Sequence, residues 1–451
     1  MSQSIEVKDI CEEIWALEKE FNLLDITIND LKIWQLIRMH IFMKINMKKG
    51  IFTQAHTTKY GMKDKLMGLP SQVKSFIFYN PFFGKKQLDI LILDHPKKQK
   101  VEGEYIDVYT KYFIDDLQKD NTNFEVIEMP HMHKHISKPE VFRKHSDAVN
   151  LLASLVRPFI EISVEKEVEQ VLQSASEKLN AQLGLNIDLL SECLFFTKRY
   201  ASQRIFIQKV LQRKLPKQMF VVVGYGYANW IQVAKELGIE TIEFQHGLLS
   251  PYNLGYNFPN SKKGTVDTFA DKLYIWKDFW RDMSHYPITD DSIIVYPFHF
   301  SILEQEKYGS ITKNEKNITV ISQGTITEKL AKMVLQNMDY LKGYNINYKL
   351  HPGEFDRWKN YSPLLKLSKY PNVTMIKDEI PLYQLFASSQ YVIGVYSVAL
   401  FEAMDFGCKV LVADIAGAEL VKPMIDSGIF IKIVDRDIDK AIKKSDINEN
   451  S

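Results

Sequence analysis

The chain has little that would mark it as secreted, membrane-spanning or nucleic-acid-binding. Cysteine is scarce: among 451 residues there are three, Cys11, Cys193 and Cys408, far apart and without metal-ligand spacing. That argues against a disulfide framework and for a reducing compartment, with buried structural thiols as the expected role. No run of about eighteen uninterrupted apolar residues occurs, so no spanning helix is expected. The N-terminus, MSQSIEVKDICEEIW, lacks a basic region followed by an apolar stretch, so no signal peptide is expected either. Excess charge is missing too. With 57 Lys and Arg against 56 Asp and Glu, no global field attracts nucleic acid or anionic lipid, and an anionic ligand must be met by local groups. These absences lead to the expectation of a cytoplasmic protein.

What is present is an ordinary globular composition, 45% hydrophobic and 25% charged, in a chain longer than one core usually supports. Two domains are expected. Residues 5 to 47 carry apolar residues at helical spacing (Ile10, Ile14, Leu17, Phe21, then Leu31, Trp34, Ile37, Ile41) and predict two added helices. Within them, residues 33 to 48 mix apolar residues with Arg38, His40, Lys44 and Lys48. They read first as a core-packing helix, with an amphipathic helix in peripheral contact with the inner membrane as the side expectation. Residues 49 to 86 read as a long connection. Leu88 to Leu93, ending at Asp94-His95-Pro96, is the first strand, followed by a helix over 106–117 and a strand over 124–127.

His131, His133 and His135 alternate, which puts them on one face of an extended segment but brings no carboxylate or fourth ligand with them. Solvated loop histidines fit better than a metal site, and no metal is expected. Gln218 to Gly247 is a βαβ unit of about thirty residues. Its Gly224-x-Gly226 starts like the dinucleotide fingerprint, and Glu243 falls about twenty residues on, but Asn229 stands where the third glycine is needed. No cofactor is therefore expected. At the end of the second strand, Glu243, Gln245, His246 and Gly247 enter a loop rich in Tyr, Asn and Ser. A neutral imidazole there is the group that takes a proton from a hydroxyl, although a histidine that only ties the loop backbone fits the same position.

Past Lys316 strands and helices alternate again with short loops, which predicts a second doubly wound parallel sheet. Ser322, Gly324 and Thr325, the His351-Pro352 corner, and Tyr396-Ser397 all fall at carboxyl ends of its strands, where ligands bind. Hydroxyls, an imidazole and N–H groups exposed by Gly324 make a workable phosphate and ribose site. Ordinary turn and cap residues would also look this way.

The order Gln245-His246-Gly247, then Lys349-Leu350-His351-Pro352, then Tyr396-Ser397 with Glu402 and Gly407, resembles bacterial GT-B glycosyltransferases of capsule and lipopolysaccharide synthesis. It is similar to the group that includes CDP-glycerol glycerophosphotransferases, bacterial sialyltransferases and Kdo transferases. The resemblance covers roughly residues 220–434. It implies an α/β GT-B fold, two Rossmann-like domains facing a cleft, and a nucleotide-sugar donor that is CMP-, CDP- or UDP-linked. It further implies that His351 and Ser397 bind the donor phosphate, with Lys349 adding charge, and that Glu402 meets the donor ribose. His246 would be the base on the acceptor hydroxyl, with Glu243 as its orienter or as the base itself.

The resulting expectation has a helical segment and connection over 1–86 and an acceptor domain over 87–302. A linker follows over 303–316, then a donor domain over 317–436 and a frayed tail over 437–451. The expected reaction is metal-independent glycosyl transfer to an oligosaccharide or lipid-linked saccharide, since no Asp-x-Asp stands in a metal-holding context. The alternatives are a nucleotide-sugar 2-epimerase on the same fold and a non-catalytic polysaccharide assembly subunit. Nucleic acid is not expected as a partner.

Overall fold

A computed structural model describes residues 5–51, 73–131 and 134–447, so His133 of the histidine run lies outside the described residues. The chain divides into two compact units, one of Cys11–Ile45 with Thr58–His299, the other of Met1–Ile10, Asn46–Thr57 and Phe300–Ser451.

The 11–299 unit is built on seven strands: β1 (Ile90–Leu93), β2 (Phe124–Glu128), β3 (Arg143–His145), β4 (Gln218–Val222), β5 (Glu240–Phe244), β6 (Lys272–Ile275) and β7 (Ile293–Val295). All pair in parallel, in the order β7-β6-β5-β4-β1-β2-β3. The strands are apolar on both faces because helices cover both faces. Leu91, Leu93, Met219 and Val221 pack against Ile207, Val210, Leu211 and Ile231, while Ile92, Phe220 and Val222 meet Ile114 and Leu117. From β1 the chain steps outward to β3, then returns to β1's other side with β4. That reversal is a topological switch point, flanked by the loops after β1 and β4.

Helices Val7–Glu20 and Ile33–Lys48 form as the spacing predicts. The membrane-interface reading of the second does not hold, because Ile33, Trp34, Ile37, Ile41 and Ile45 are all fully buried. Arg38, which gives the sequence its amphipathic look, is buried as well. Its guanidinium grips Glu18 with two hydrogen bonds (Nε to Oε1 2.8 Å, Nη2 to Oε2 3.0 Å), and Trp34 Nε1 donates to the same carboxylate at 2.8 Å. Arg38 also donates to the carbonyls of Leu254 and Asn257 and lies 4.0 Å over the Phe258 ring. Helix Lys111–Lys119 begins later than the 106–117 read from the sequence, and a short hairpin, Gln99–Val101 with Glu104–Ile106, precedes it.

The second unit has six parallel strands: β8 (Asn314–Ile321), β9 (Asn345–Lys349), β10 (Val373–Ile376), β11 (Ser389–Gly394), β12 (Lys409–Ala413) and β13 (Ile431–Ile433). Their order is β10-β9-β8-β11-β12-β13, the 3-2-1-4-5-6 order of a Rossmann sheet, with its switch point between β8 and β11. Two such doubly wound units in one chain are the GT-B fold expected from the sequence. The stretch read as a linker is structured, with helix His299–Tyr308 and the first residues of β8. The frayed tail is also corrected: Ile438–Ile447 is a helix whose Ile438, Ala441, Ile442 and Ser445 are buried at helical spacing. Asp446 anchors it by accepting from Tyr391 Oη (2.8 Å) and Lys409 Nζ (2.9 Å). Cys11, Cys193 and Cys408 are all buried, as expected of structural thiols.

Because Glu18 would be left as an uncompensated buried charge, Arg38→Ala should lower the unfolding free energy by about 3–5 kcal/mol. Urea unfolding followed by circular dichroism checks this, as an earlier midpoint at unchanged slope.

Candidate active site

In the 11–299 unit, β5 carries a glutamate into a buried strand, which requires that its carboxyl find partners. Glu243 Oε1 accepts from the Gly224 N–H at 2.7 Å and from Tyr256 Oη at 2.5 Å. Gly224, in the loop after β4, has to be a glycine for this. A Cβ there would stand 2.1 Å from Glu243 Oε2. The Gly-x-Gly that looked like the start of a dinucleotide motif thus makes room for a carboxylate. Burial pushes the Glu243 carboxyl up to about 7 in spite of the two hydrogen bonds it accepts.

Tyr256 has a second partner, His246 Nδ1, at 3.0 Å, and His246 Nε2 lies 3.5 Å from Tyr225 Oη. Burial, and then the nearby His95, hold His246 down to about 3, so its imidazole is neutral. Gln245 fixes the turn that presents it: its side-chain Oε1 accepts from the Trp276 N–H (2.9 Å), its carbonyl from Trp276 Nε1 (3.0 Å), and its Nε2 donates to the Gly247 carbonyl (3.1 Å). His95, on the loop after β1, has its ring centre 6.0 Å from that of His246, and Tyr109 follows at 6.4 Å. Tyr109, Phe298 and Trp276 stack face to face, with centres 5.5 Å (Tyr109–Phe298) and 4.6 Å (Phe298–Trp276) apart. A hydrogen-bond chain from carboxyl through phenol to imidazole therefore ends beside an aromatic platform at the switch point.

Sequence reasoning named Glu243 and His246 but missed Tyr256, Tyr225, His95 and the aromatic platform. His95 had a signal: it follows the first strand of the sheet, which becomes the switch point once the strand order is known. Tyr256 lay in a loop visibly rich in Tyr and Asn, with nothing in the spacing to single it out.

The histidine run resolves differently. His135 stands between Asp147 (Nε2 to Oδ2 2.6 Å) and Glu128 (Nδ1 to Oε1 3.2 Å), and its ring stacks on His145 at 3.5 Å and 6°. Burial opposes its charge, but the two carboxylates outweigh it and raise it to about 9, while burial and the His135 charge hold His145 down to about 4. His135, His145 and Asp147 lie close enough to share a cation. The parallel rings, however, direct their in-plane lone pairs side by side rather than to one point, and an imidazolium has none to offer. This is an ion-pair geometry.

In the 300–451 unit the corners after β8, β9 and β11 gather Ser322, Gly324, Thr325, His351, Pro352, Tyr396 and Ser397. Glu354, fully buried, is their brace: it accepts from the His351 N–H (2.7 Å), from Ser322 Oγ (3.0 Å) and from Thr327 Oγ1. Pro352 opens the short helical turn Pro352–Glu354, where its missing N–H costs nothing. His351 Nδ1 accepts from the Gly353 N–H at 3.1 Å, which places the ring proton of the neutral form on Nε2. Thr325 Oγ1 and Tyr396 Oη share a hydrogen bond of 2.5 Å, and the Tyr396 N–H donates to Gln323 Oε1 at 3.3 Å. The Tyr396 ring lies against Gly417, where a Cβ would come within 2.2 Å of it and φ is +101°. Ser397 Oγ accepts from the Ala399 N–H at 3.2 Å.

Two expected residues stand apart from this group. Lys349 spends its ammonium on the carbonyls of Lys377 and Ile380, and burial lowers its pKa. Glu402 accepts from Tyr383 Oη at 3.1 Å, and burial, opposed by that bond and aided by Asp405, pushes it up to about 7. Among the described residues, no hydrogen bond links Glu402 to the His351 group. A cation that sequence reasoning missed, Arg357, stands at this corner. The guanidinium of Arg357 lies 3.9 Å, and His351 Nδ1 3.7 Å, from where a Cβ on Gly324 would be, and Arg357 Nε is buried without a hydrogen-bond partner.

No family model and no curated protein sequence matches the chain. Similar solved structures include the UDP-GlcNAc 2-epimerase of Methanocaldococcus jannaschii, at 13% identity over 81% of this chain and 93% of that one, TM-score 0.48. The UDP-GlcNAc 2-epimerase of Neisseria meningitidis bound to UDP-GlcNAc matches at 16% identity over 80% and 91%, TM-score 0.45. The spinosyn rhamnosyltransferase SpnG complexed with spinosyn aglycone matches at 12% identity over 81% and 90%, TM-score 0.39. An epimerase and a glycosyltransferase thus stand together among these structures, and similarity at this level assigns neither activity.

Gly224→Ala should force Glu243 from its seat and destabilise the protein by about 1–3 kcal/mol, read by denaturant unfolding. The folded state holds the Glu243 proton up to about pH 7 against an ordinary 4.5. Its protonated carboxyl therefore stabilises fully below the ordinary value, and that stabilisation is lost as pH rises through about 7. Glu243→Gln should remove this slope, narrowing the difference in unfolding free energy between pH 5 and pH 8 by about 3 kcal/mol.

Proposed function

We propose that the protein transfers a glycosyl group from a nucleotide-activated sugar, CMP-, CDP- or UDP-linked, to a hydroxyl of a bacterial surface polysaccharide, capsule or lipopolysaccharide. The observation that carries this reading is His246, a neutral imidazole backed through Tyr256 by a buried carboxyl and bordered by stacked aromatic rings. A saccharide packs its C–H face on such rings while one hydroxyl meets the imidazole. His246 Nε2 takes the hydroxyl proton as the oxygen attacks the sugar carbon. The bond to the donor phosphate breaks, and its electron pair stays on the phosphate oxygen.

The 300–451 unit is the donor side of this reading. The His351 Nε2–H and the Arg357 guanidinium are the groups suited to that growing charge, with Gly324 allowing close approach of the backbone. Ser322 and Glu354 set the His351 corner, and Thr325, Tyr396 and Ser397 line the next one. The resemblance of the Gln-His-Gly and His-Pro corners to capsule and lipopolysaccharide enzymes supports a polysaccharide acceptor. A 2-epimerase would turn over its nucleotide sugar with no saccharide acceptor present, so an acceptor requirement separates the two readings.

The first test is thermal stabilisation by CMP, CDP, UMP, UDP, GDP and ADP, since a ligand that binds only the folded state raises stability by mass action. One cytidine or uridine nucleotide should raise the melting temperature, and both His351→Ala and Arg357→Ala should abolish the shift. His246→Ala should keep the shift and lose transfer by about 10²–10⁴-fold. No shift with any nucleotide at millimolar concentration would overturn the donor site and favour an assembly subunit.

A further inference from the structure

The hydrogen bonds around Tyr256 carry more than an orientation. A phenol has one proton to give, and Tyr256 Oη has two partners, Glu243 Oε1 at 2.5 Å and His246 Nδ1 at 3.0 Å. An ionised carboxylate can only accept. While Glu243 is ionised, the phenol proton must point to Glu243, and the phenol oxygen can then only accept from His246. The neutral imidazole is thereby held with its proton on Nδ1 and its lone pair on Nε2, the nitrogen on the Tyr225 side. If Glu243 gains a proton and donates it to the phenol oxygen, the phenol proton turns to Nδ1. The imidazole proton then belongs on Nε2, and the base is lost without any change in net charge on the ring.

We propose that Tyr256 is a positioning residue that transmits the protonation state of Glu243 to His246 and thereby selects which imidazole nitrogen is the base. This rests on the reading of His246 as the acceptor base, but its geometry is independent of the sugar or nucleotide involved. The logic is that of a carboxylate that holds a catalytic imidazole in the right tautomer, with a phenol inserted between the two.

The surroundings favour such a device. Glu243 is met by the Gly224 N–H and the Tyr256 hydroxyl, with Tyr225 and Tyr286 the other titratable groups near it. His246 faces Tyr225, Tyr256, Tyr109 and His95, and the backbone N–H of His95 is held by Asp107 at 2.6 Å. Burial keeps Tyr256 and Tyr225 in their neutral phenol forms, so neither competes as an anion. With Glu243 pushed up to about 7 and His246 held down to about 3, the carboxyl titrates in a range where the imidazole remains uncharged. A change in the ring between pH 6 and pH 8 is then a change of tautomer and not of charge. The phenol itself is held by distant parts of the chain. Arg38, braced by Glu18, grips the carbonyls of Leu254 and Asn257 on either side of Tyr256.

The test is two-bond hydrogen–nitrogen correlation spectroscopy of the full chain labelled with ¹⁵N-histidine, with the His246 signals identified by their loss in His246→Gln. At pH 8 the wild type should show a protonated, pyrrole-like Nδ1 and a pyridine-like Nε2. On lowering the pH through about 7, the two nitrogens should exchange character. Glu243→Gln should keep the Nδ1–H form across the whole range, since the carboxamide oxygen still accepts from Gly224 and Tyr256 but cannot titrate. Tyr256→Phe should lose both the Nδ1–H form and its dependence on pH.

An Nε2–H ring in the wild type at pH 8, or a Tyr256→Phe protein with wild-type signals and wild-type pH dependence, would overturn the proposal. If Tyr256→Phe does not fold, Glu243→Gln decides alone, because a pH-driven exchange that persists in it sinks the relay. None of these readouts requires turnover. A failed relay with transfer still abolished in His246→Ala would leave the transferase reading standing, and a confirmed relay with no nucleotide bound would not rescue it.

Discussion

The constraint on which the rest of the 11–299 unit depends is the burial of one carboxyl group, Glu243, inside a parallel strand. A carboxyl out of water must be supplied with donors or hold its proton. The protein supplies two donors, a backbone N–H and a phenol, and each imposes its own condition. The N–H requires a residue without a side chain after β4, which is Gly224. The phenol requires the loop between β5 and β6 to fold back over the strand end, and that loop is pinned by Arg38 from the N-terminal helices. Those helices carry no group of the His246 cluster, yet they determine where Tyr256 stands.

Both units use their sheets in the same way. Each begins with a central strand, winds to one edge, and returns to the other side of that strand, so that two neighbouring loops diverge at the carboxyl end. His95 and Tyr225 sit at one such divergence, Ser322 to Thr325 and Tyr396 at the other. A second buried carboxylate, Glu354, does for the 300–451 unit what Glu243 does for the first. It fixes a corner that carries a histidine, here through the histidine's own backbone N–H. In the first unit the buried acid acts on the imidazole nitrogen that faces inward. In the second it acts on the main chain, and a turn N–H occupies Nδ1 instead.

Much of the architecture was legible in the sequence, since apolar runs of four to six residues separated by helical periodicity admit few arrangements other than doubly wound parallel sheets. The carboxyl-end corners were legible as well, because they are where polar and glycine residues interrupt such runs. Less legible was the use of each polar residue. Lys349 beside a His-Pro corner looks like a phosphate ligand, but its long stem lets the ammonium reach the carbonyls of Lys377 and Ile380. Arg357, five residues past the proline, drew no notice as a loop arginine and stands beside Gly324 and His351. The side expectation of a membrane-facing helix over 33–48 and the expectation of a frayed tail went astray for one reason. A polar residue within an apolar face, or a mostly polar segment, reads as solvated until its buried partners are known.

The sequence by itself determined the elements, their type and the chain positions where loops meet strand ends, because local propensity and periodicity depend on neighbours within a few residues. Only the tertiary structure decided which polar groups satisfy one another. Glu243 and Tyr256 lie thirteen residues apart, and Arg38 and Leu254 more than two hundred. Which residue answers a buried charge depends on the path of the chain through space, and nothing in the spacing along it encodes the pairing. The chemistry of His246 follows from that path, since the tautomer of a neutral imidazole is set by whichever hydrogen-bond partner the fold brings to its other nitrogen.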